Sequence, residues 1–351
     1  MPNALASDLD HVLGCTEGLW DALRGQRMFV TGGTGFFGCW LLETLAWADD
    51  RLRLGLSVCV LTRNPGAFAR RVPHLATHRA VRLHEGDVRS FAFPDGDFSY
   101  VVHGATDASA KLLEEDPLLM FDTIMEGTRH VLRFARSHGT HTLLLTSSGA
   151  VYGRQPGEVE AVDEDRYSGP DPSMPASAYG EGKRAAELLA VLESKTAGFE
   201  ARIARGFAFV GPYLPLDRHF AIGNFIRDAM AGQPIVVRGD GTPLRSYMYA
   251  TDLVVWLLTI LMKGAPGRPY NVGSDRAITV EELARTVARV AGGGVPVVIA
   301  GQHAARPAGP DRYVPCTRRA ERELGLRATV DLHEGIRRTM RWYEQRTHAE
   351  S

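Results

Sequence analysis

Tyr179 and Lys183 stand four residues apart in SAYGEGKRAAELL, a segment that reads as a helix, so both side chains project from one face. A lysine cation beside a phenol favours the phenolate and lowers its pKa from the usual value near ~10, which suits proton transfer at neutral pH. The chain has only four lysines, and the pairing marks Tyr179 as a candidate base. A further hydroxyl source lies upstream, where the apolar run from Leu143 ends in Thr146, Ser147 and Ser148. Strand C-termini of a parallel sheet carry chemistry, and a serine placed there hydrogen-bonds a reacting oxygen and shares its proton with the tyrosine.

A second constellation suits an anion rather than a proton. Residues Thr31 to Gly38 read TGGTGFFG, with Gly32, Gly35 and Gly38 after an expected strand, Arg27 to Thr31, and before an expected helix, Phe37 to Ala48. Such a turn lets the backbone approach a pyrophosphate, while the free N–H groups and dipole of the helix attract the phosphates. With strand and helix in place, the pattern predicts a nicotinamide dinucleotide, NAD or NADP, held along Gly32, Gly35, Phe36, Phe37 and Gly38. The second expected strand ends in Thr62, Arg63 and Asn64 instead of the acidic residue that grips an adenosine ribose. Arg63 suits either a 2′-phosphate or stacking on adenine, and the expectation leans to NADP.

These groups need a parallel sheet to hold them. Apolar runs at Ser57 to Thr62, Ala80 to His84, Tyr100 to His103, His141 to Ser147 and Ala201 to Phe209 alternate with helix-periodic stretches. That alternation predicts an α/β fold, a Rossmann-type doubly wound sheet over residues 26–210. Residues 1–25 read as a helical extension, with Leu9, Val12, Leu13, Leu19, Trp20 and Leu23 at helical spacing. After Gly211, prolines punctuate shorter elements, so 211–351 is expected to be mainly a smaller α/β substrate domain with some segments returning to the first.

Composition narrows the classes of function. The chain has 351 residues, 44% of them hydrophobic, and a net charge of −1, so no global field favours nucleic acid or an anionic membrane. Its four cysteines have no CxxC spacing, which predicts neither a metal site nor a disulfide framework. The most apolar run, Leu253 to Met262, is too short for a membrane span and reads as a buried helix, and no signal peptide is evident. A cytoplasmic protein is expected.

TGGTGFFG, LLLTSSGAVYG and SAYGEGK, in this order, resemble the extended short-chain dehydrogenase/reductase family, and more narrowly its nucleotide-sugar epimerases and dehydratases, over Arg27 to Tyr343. The resemblance implies a Ser148, Tyr179 and Lys183 catalytic set, with Tyr179 and Lys183 also touching the cofactor. It implies cofactor contacts at Asp87 and Val88 and along His103, Gly104 and Ala105. Substrate contacts are implied at Asn224, Phe225, Arg245, Arg306 and Arg312, beside Ser147 and Ser148, the arginines facing a diphosphate. It also implies a homodimer built from helices near Leu118 to Ser137 and around Tyr179.

The departures matter as much. The 4,6-dehydratases of the family carry an acidic pair, and the decarboxylases a glutamate, where this chain has Gly149 and Ala150. Ala208 and Ile124 replace two usual asparagines. The expected activity is therefore a sugar 4-epimerase working by transient oxidation at C4, with a 4,6-dehydratase, a uronate decarboxylase, a 4-keto reductase or a non-catalytic dinucleotide-binding regulator as alternatives.

Overall fold

The computed structural model describes residues 3–106, 110–217, 220–301 and 311–350. Seven strands form the central sheet: β1 (Arg27–Thr31), β2 (Ser57–Thr62), β3 (Val81–Glu85), β4 (Tyr100–His103), β5 (Thr142–Ser148), β6 (Glu200–Gly206) and β7 (Pro269–Val272). Their spatial order is 3-2-1-4-5-6-7, and every pairing is parallel. The order reverses between β1 and β4, and such a switch point opens a crevice at the strand C-termini. Thr31 pairs with His103 and Ser148 with Gly206, so the glycine turn and the serine-ended strand both reach that edge.

The expected elements are present, with shifted ends. The helix after the glycine turn runs from Phe36 to Leu52. Its added turn keeps Asp49 buried, where the carboxylate accepts from Leu56 N and Arg79 Nε at 3.0 Å each. The run to Phe209 is divided: β6 stops at Gly206, and Phe209–Val210 pairs instead with Met248–Tyr249.

Two segments after residue 211 return to the main sheet. One is β7, and the other is the helix Ala250–Lys263, buried at every residue from Ala250 to Leu261. Each fully buried Leu or Ile of such a helix stabilises the fold by about 1.5–3 kcal/mol. The remaining C-terminal elements enclose a second, smaller core around Ile222, Phe225, Ile226, Leu283, Val287 and Ile336. Phe36 packs against both cores, so the first residue of the glycine-turn helix joins the two lobes.

The N-terminal segment folds as a helix, Ala6–Cys15, followed by two short 3-10 turns. Leu9 and Val12 are fully buried in the main core. Asp8 accepts from Tyr249 OH at 2.6 Å and from Arg338 Nη1 at 2.5 Å, tying the extension to the C-terminal lobe. No helix among the described residues is long and apolar enough to cross a membrane.

Candidate active site

The glycine turn needs its glycines for two separate reasons. Gly32 has φ +73, and a Cβ there would lie 2.5 Å from the backbone of Gly104. At Gly38 a Cβ would lie 2.3 Å from Gly33, so the helix could not close on the turn. The result is a side-chain-free cradle at the start of a helix, the form that a dinucleotide pyrophosphate requires. Phe37 lies edge-on to Phe209 at 4.9 Å, next to Gly206.

Beneath the cradle, His103 plays a different part from the one expected. Thr31 Oγ1 accepts from Gly104 N at 3.2 Å and from Ala105 N at 3.1 Å. Its two lone pairs are thereby used, so its proton goes to His103 Nδ1, 2.8 Å away, and Nε2–H donates to Thr128 Oγ1 at 3.0 Å. Burial, with Lys183 adding to it, pulls His103 down to about 3. The side chain is a neutral strut under the turn and does not face the crevice; Gly104 and Ala105 supply backbone at its rim.

Asp87 and Arg63 lie just past the ends of β3 and β2. The Arg89 guanidinium, with a smaller contribution from Arg63, holds the Asp87 carboxyl below its usual range. Arg63 is exposed at the end of β2. Val88 is buried and lies against Gly127, where a Cβ would come within 2.9 Å of it, so it shapes the floor through packing.

Ser148, Tyr179 and Lys183 converge at the end of β5. The Tyr179 helix, Ala178–Ala197, reaches the strand closely because Gly180 leaves room for Pro170 and the Ala150 carbonyl, 2.6 and 2.8 Å from where a Cβ would sit. Lys183 is buried, its Nζ donating to Thr146 O at 3.0 Å and to Thr106 Oγ1 at 2.8 Å, and it lies 5.9 Å from the Tyr179 ring centre. Burial lowers Lys183 to about 8, opposed by the charge of Glu187. Burial raises the Tyr179 phenol, and the group that offsets it is the Ser148 hydroxyl. The expected lowering by Lys183 is thus not the governing effect: the ammonium points at the strand backbone.

Ser147 and Ser148 alternate across the strand, and only one of them faces the crevice. Ser148 Oγ accepts from Ala150 N at 3.1 Å and lies 3.4 Å from Tyr313 OH. Ser147 points the other way and donates to Glu187 Oε1 at 2.5 Å, which removes it from the expected substrate contacts. Glu187 takes a bidentate pair from Arg205, with Arg205 Nη2 2.6 Å from Oε2, and Arg205 Nη1 donates to Tyr152 OH at 2.8 Å.

The expected substrate residues separate further. Phe225 is 4% exposed, and its side chain belongs to the second core, not to a ligand surface. Asn224 is half-buried and accepts from Arg227 at 3.3 Å. Arg245 Nη2 donates to Asp311 at 2.7 Å, so its charge is already met. Arg312 is the better diphosphate candidate, because its Nε is buried without a hydrogen-bond partner among the described residues. Arg306 lies outside the described residues. Thr106, Phe207, Tyr313, Glu187 and Arg205 escaped the sequence reading; Tyr313 adjoins Arg312, and Glu187 follows Lys183 by one helical turn.

The family described as "NAD dependent epimerase/dehydratase family" matches residues 28–273, from β1 through β7. The chain belongs to that family. It is an NAD-dependent enzyme by that membership. The chain is 30% identical over 320 residues to UDP-glucuronic acid decarboxylase 1 of Xenopus tropicalis, covering 91% of this chain and 72% of the relative. It is 31% identical over 311 residues to UDP-glucuronic acid decarboxylase 6 of Arabidopsis thaliana, covering 89% and 87%. The fold is similar to UDP-glucose 4-epimerase of Thermotoga maritima, solved with UDP-glucose, with TM-score 0.77, 21% identity, and coverage of 92% of this chain and 100% of that one. It is also similar to the Bordetella bronchiseptica enzyme WbmF in complex with NAD+ and UDP, with TM-score 0.75, 22% identity and coverage of 94% and 95%.

Proposed function

We propose that this enzyme oxidises and re-reduces C4 of a nucleotide-activated sugar with bound NAD, and so acts as a 4-epimerase. The observation that carries this reading is at Gly149. A Cβ at that position would lie 2.7 Å from the Phe207 ring and 2.8 Å from Tyr313 OH, so the space an acidic side chain would need is taken. The neighbouring position is Ala150. Elimination of water requires an acid for the leaving hydroxyl, and neither position provides one.

NAD supplies the hydride acceptor and donor for the sugar carbon. Tyr179 takes the proton from the 4-hydroxyl and later returns it, Ser148 donates a hydrogen bond to the same oxygen, and Lys183 stands behind both at Thr106 and the β5 backbone. Gly32 and Gly38 hold the pyrophosphate side of the cofactor, and Arg312 is the candidate for the diphosphate of the sugar nucleotide. The relatives' names favour one second reading, decarboxylation of a UDP-linked uronic acid, which shares the C4 oxidation and departs from epimerisation at the next step, where carbon dioxide is lost.

The test is to incubate the purified protein with NAD and a panel of UDP, dTDP, GDP and CDP sugars that includes UDP-glucuronic acid. A C4 epimer without net redox change is the expected product. Carbon dioxide with a pentose product establishes the decarboxylase instead, and a 4-keto-6-deoxy product, or stoichiometric loss of reduced cofactor in a parallel incubation with NADH, rejects both. Tyr179→Phe abolishes turnover and leaves NAD binding intact.

The same reading includes a homodimer. Leu118 (67% exposed) on the helix Pro117–Ser137, with Leu188 (60%) and Leu192 (53%) on the Tyr179 helix, leaves apolar surface on two packed helices. Sedimentation analysis of Leu188→Glu/Leu192→Glu gives monomers if this surface pairs two copies. A cytoplasmic location is part of the reading, supported by four unpaired cysteines.

A further inference from the structure

Ser148 has one proton and two lone pairs to distribute. One lone pair takes Ala150 N–H at 3.1 Å, which caps the short turn Gly149–Tyr152. Besides Tyr179, Tyr313 OH lies beside it at 3.4 Å. This is long for a hydroxyl pair.

Several features aim Tyr313 at that point. Its ring packs on Phe207 with centres 4.7 Å apart, and its strand pairs residue by residue with Leu244–Arg245. The next residue is fixed as well, since Val314 N donates to Gln155 Oε1 at 3.0 Å. Gly149 completes the arrangement, because any side chain there would meet the Phe207 ring and Tyr313 OH below 3 Å. A phenol has thus been fitted against a serine by a glycine and an aromatic stack.

We propose that Tyr313 is a positioning residue that donates its hydrogen bond to Ser148 and so obliges Ser148 to give its own proton to Tyr179 or to the reacting sugar oxygen. This rests on the C4 oxidation reading above for its catalytic meaning. The phenol suits the role: burial raises Tyr313, with nearby Tyr179 adding to the rise against a lowering by Ser148, so it keeps the proton it donates. Arg245 and Tyr152 also face it, the first lowering and the second raising its pKa. With both lone pairs of Ser148 filled, the serine cannot turn to accept from Tyr179, and the polarity of the relay is set before substrate arrives.

Tyr313→Phe tests this, because it keeps the ring, the Phe207 stack and the strand pairing and removes one oxygen. In the purified protein with NAD, carbon-13-labelled tyrosine is titrated by NMR, with Tyr179→Phe identifying the Tyr179 signal. The Tyr179 pKa is expected to rise by about half a unit to one unit in Tyr313→Phe, since a donor to the phenolate has been released. On whichever nucleotide sugar the wild type converts, kcat is expected to fall about tenfold with KM within about twofold, and adding Tyr313→Phe to Ser148→Ala is expected to cost nothing more. An unchanged Tyr179 titration overturns the proposal, and so does a raised KM at unchanged kcat, which would make Tyr313 a ligand contact. A wild type that converts no nucleotide sugar would defeat the functional reading while the titration still decides the role of Tyr313.

Discussion

The two faces at the end of β5 carry adjacent serines in opposite chemical settings. On the crevice face, Ser148 sits among hydroxyls and a buried lysine, with Gly149 and Ala150 beside it. On the other, Ser147 meets the Glu187–Arg205 ion pair, which Tyr152 extends to Asn271 through a 2.8 Å hydrogen bond. Asn271 in turn donates its backbone N–H to Glu164 Oε1, linking the Tyr179 helix, β6, β7 and the segment around residue 164. The carboxylates have been placed where they fix the elements, and hydroxyls with one buried lysine where the chemistry is proposed. A carboxylate near an active tyrosine is not thereby a catalytic acid; the strand face it occupies decides.

The largest effect should come from unbalancing the charged face. Glu187→Ala leaves Arg205 buried with its bidentate acceptor gone, and loss of one partner of a buried pair costs about 3–5 kcal/mol. Ser148→Ala removes a hydroxyl that caps one short turn, so about 1 kcal/mol of stability or less is expected, with turnover lowered about a hundredfold. Urea unfolding and product assays on both variants check the contrast. If Glu187→Ala proves as stable as Ser148→Ala, the ion pair is not the fastener described.

How much of this could be read from the chain itself depends on the kind of interaction. The six strand runs, the glycine turn and the Tyr179 helix were legible because each depends on local periodicity or on residue types that few backbones tolerate, such as Gly32 at φ +73. Ser147 was misplaced because a strand ending in two serines does not reveal which faces the crevice until its register with Gly206 and its helix contact are known. Phe225 and His103 fit a ligand-facing motif in sequence, yet three-dimensional packing turned both inward. Tyr313, 165 positions from Ser148, has no local signal beyond its neighbour Arg312, because only the pairing of its strand with Leu244–Arg245 brings it there.

His103 extends the comparison to pH. Its folded pKa of about 3 lies below the ordinary 6.5, so the neutral form is the stabilising one. That contribution is fully present above 6.5 and is lost progressively as pH falls towards 3, because the unfolded chain binds the proton first. His103→Asn abolishes this linkage while keeping hydrogen-bonding groups near Thr31 and Thr128. The stability difference between wild type and variant, tracked by urea unfolding, should shrink steadily from pH 7 to pH 4. A difference independent of pH would mean that His103 titrates as it does in the unfolded chain, and one that grows as pH falls would mean that it is protonated in the fold.

Gly149→Ala is the smallest change and the one that bears most directly on the crevice face. Its backbone conformation is open to alanine, since Gly149 is absent from the positive-φ positions, so the cost arises from space alone. The new methyl would lie 2.7 Å from the edge of Phe207 and 2.8 Å from the hydroxyl of Tyr313, so the outer ends of these side chains must shift to admit it. A loss of about 1–2 kcal/mol of stability is therefore expected, at the lower end for overpacking. The displacement acts on the Tyr313–Ser148 contact, so kcat should fall in the direction expected of Tyr313→Phe while NAD retention is unchanged. Should kcat stay at the wild-type level with the methyl accommodated, the glycine serves the turn and not the tyrosine, and the crevice face owes its lack of a carboxylate to something other than the space Tyr313 occupies.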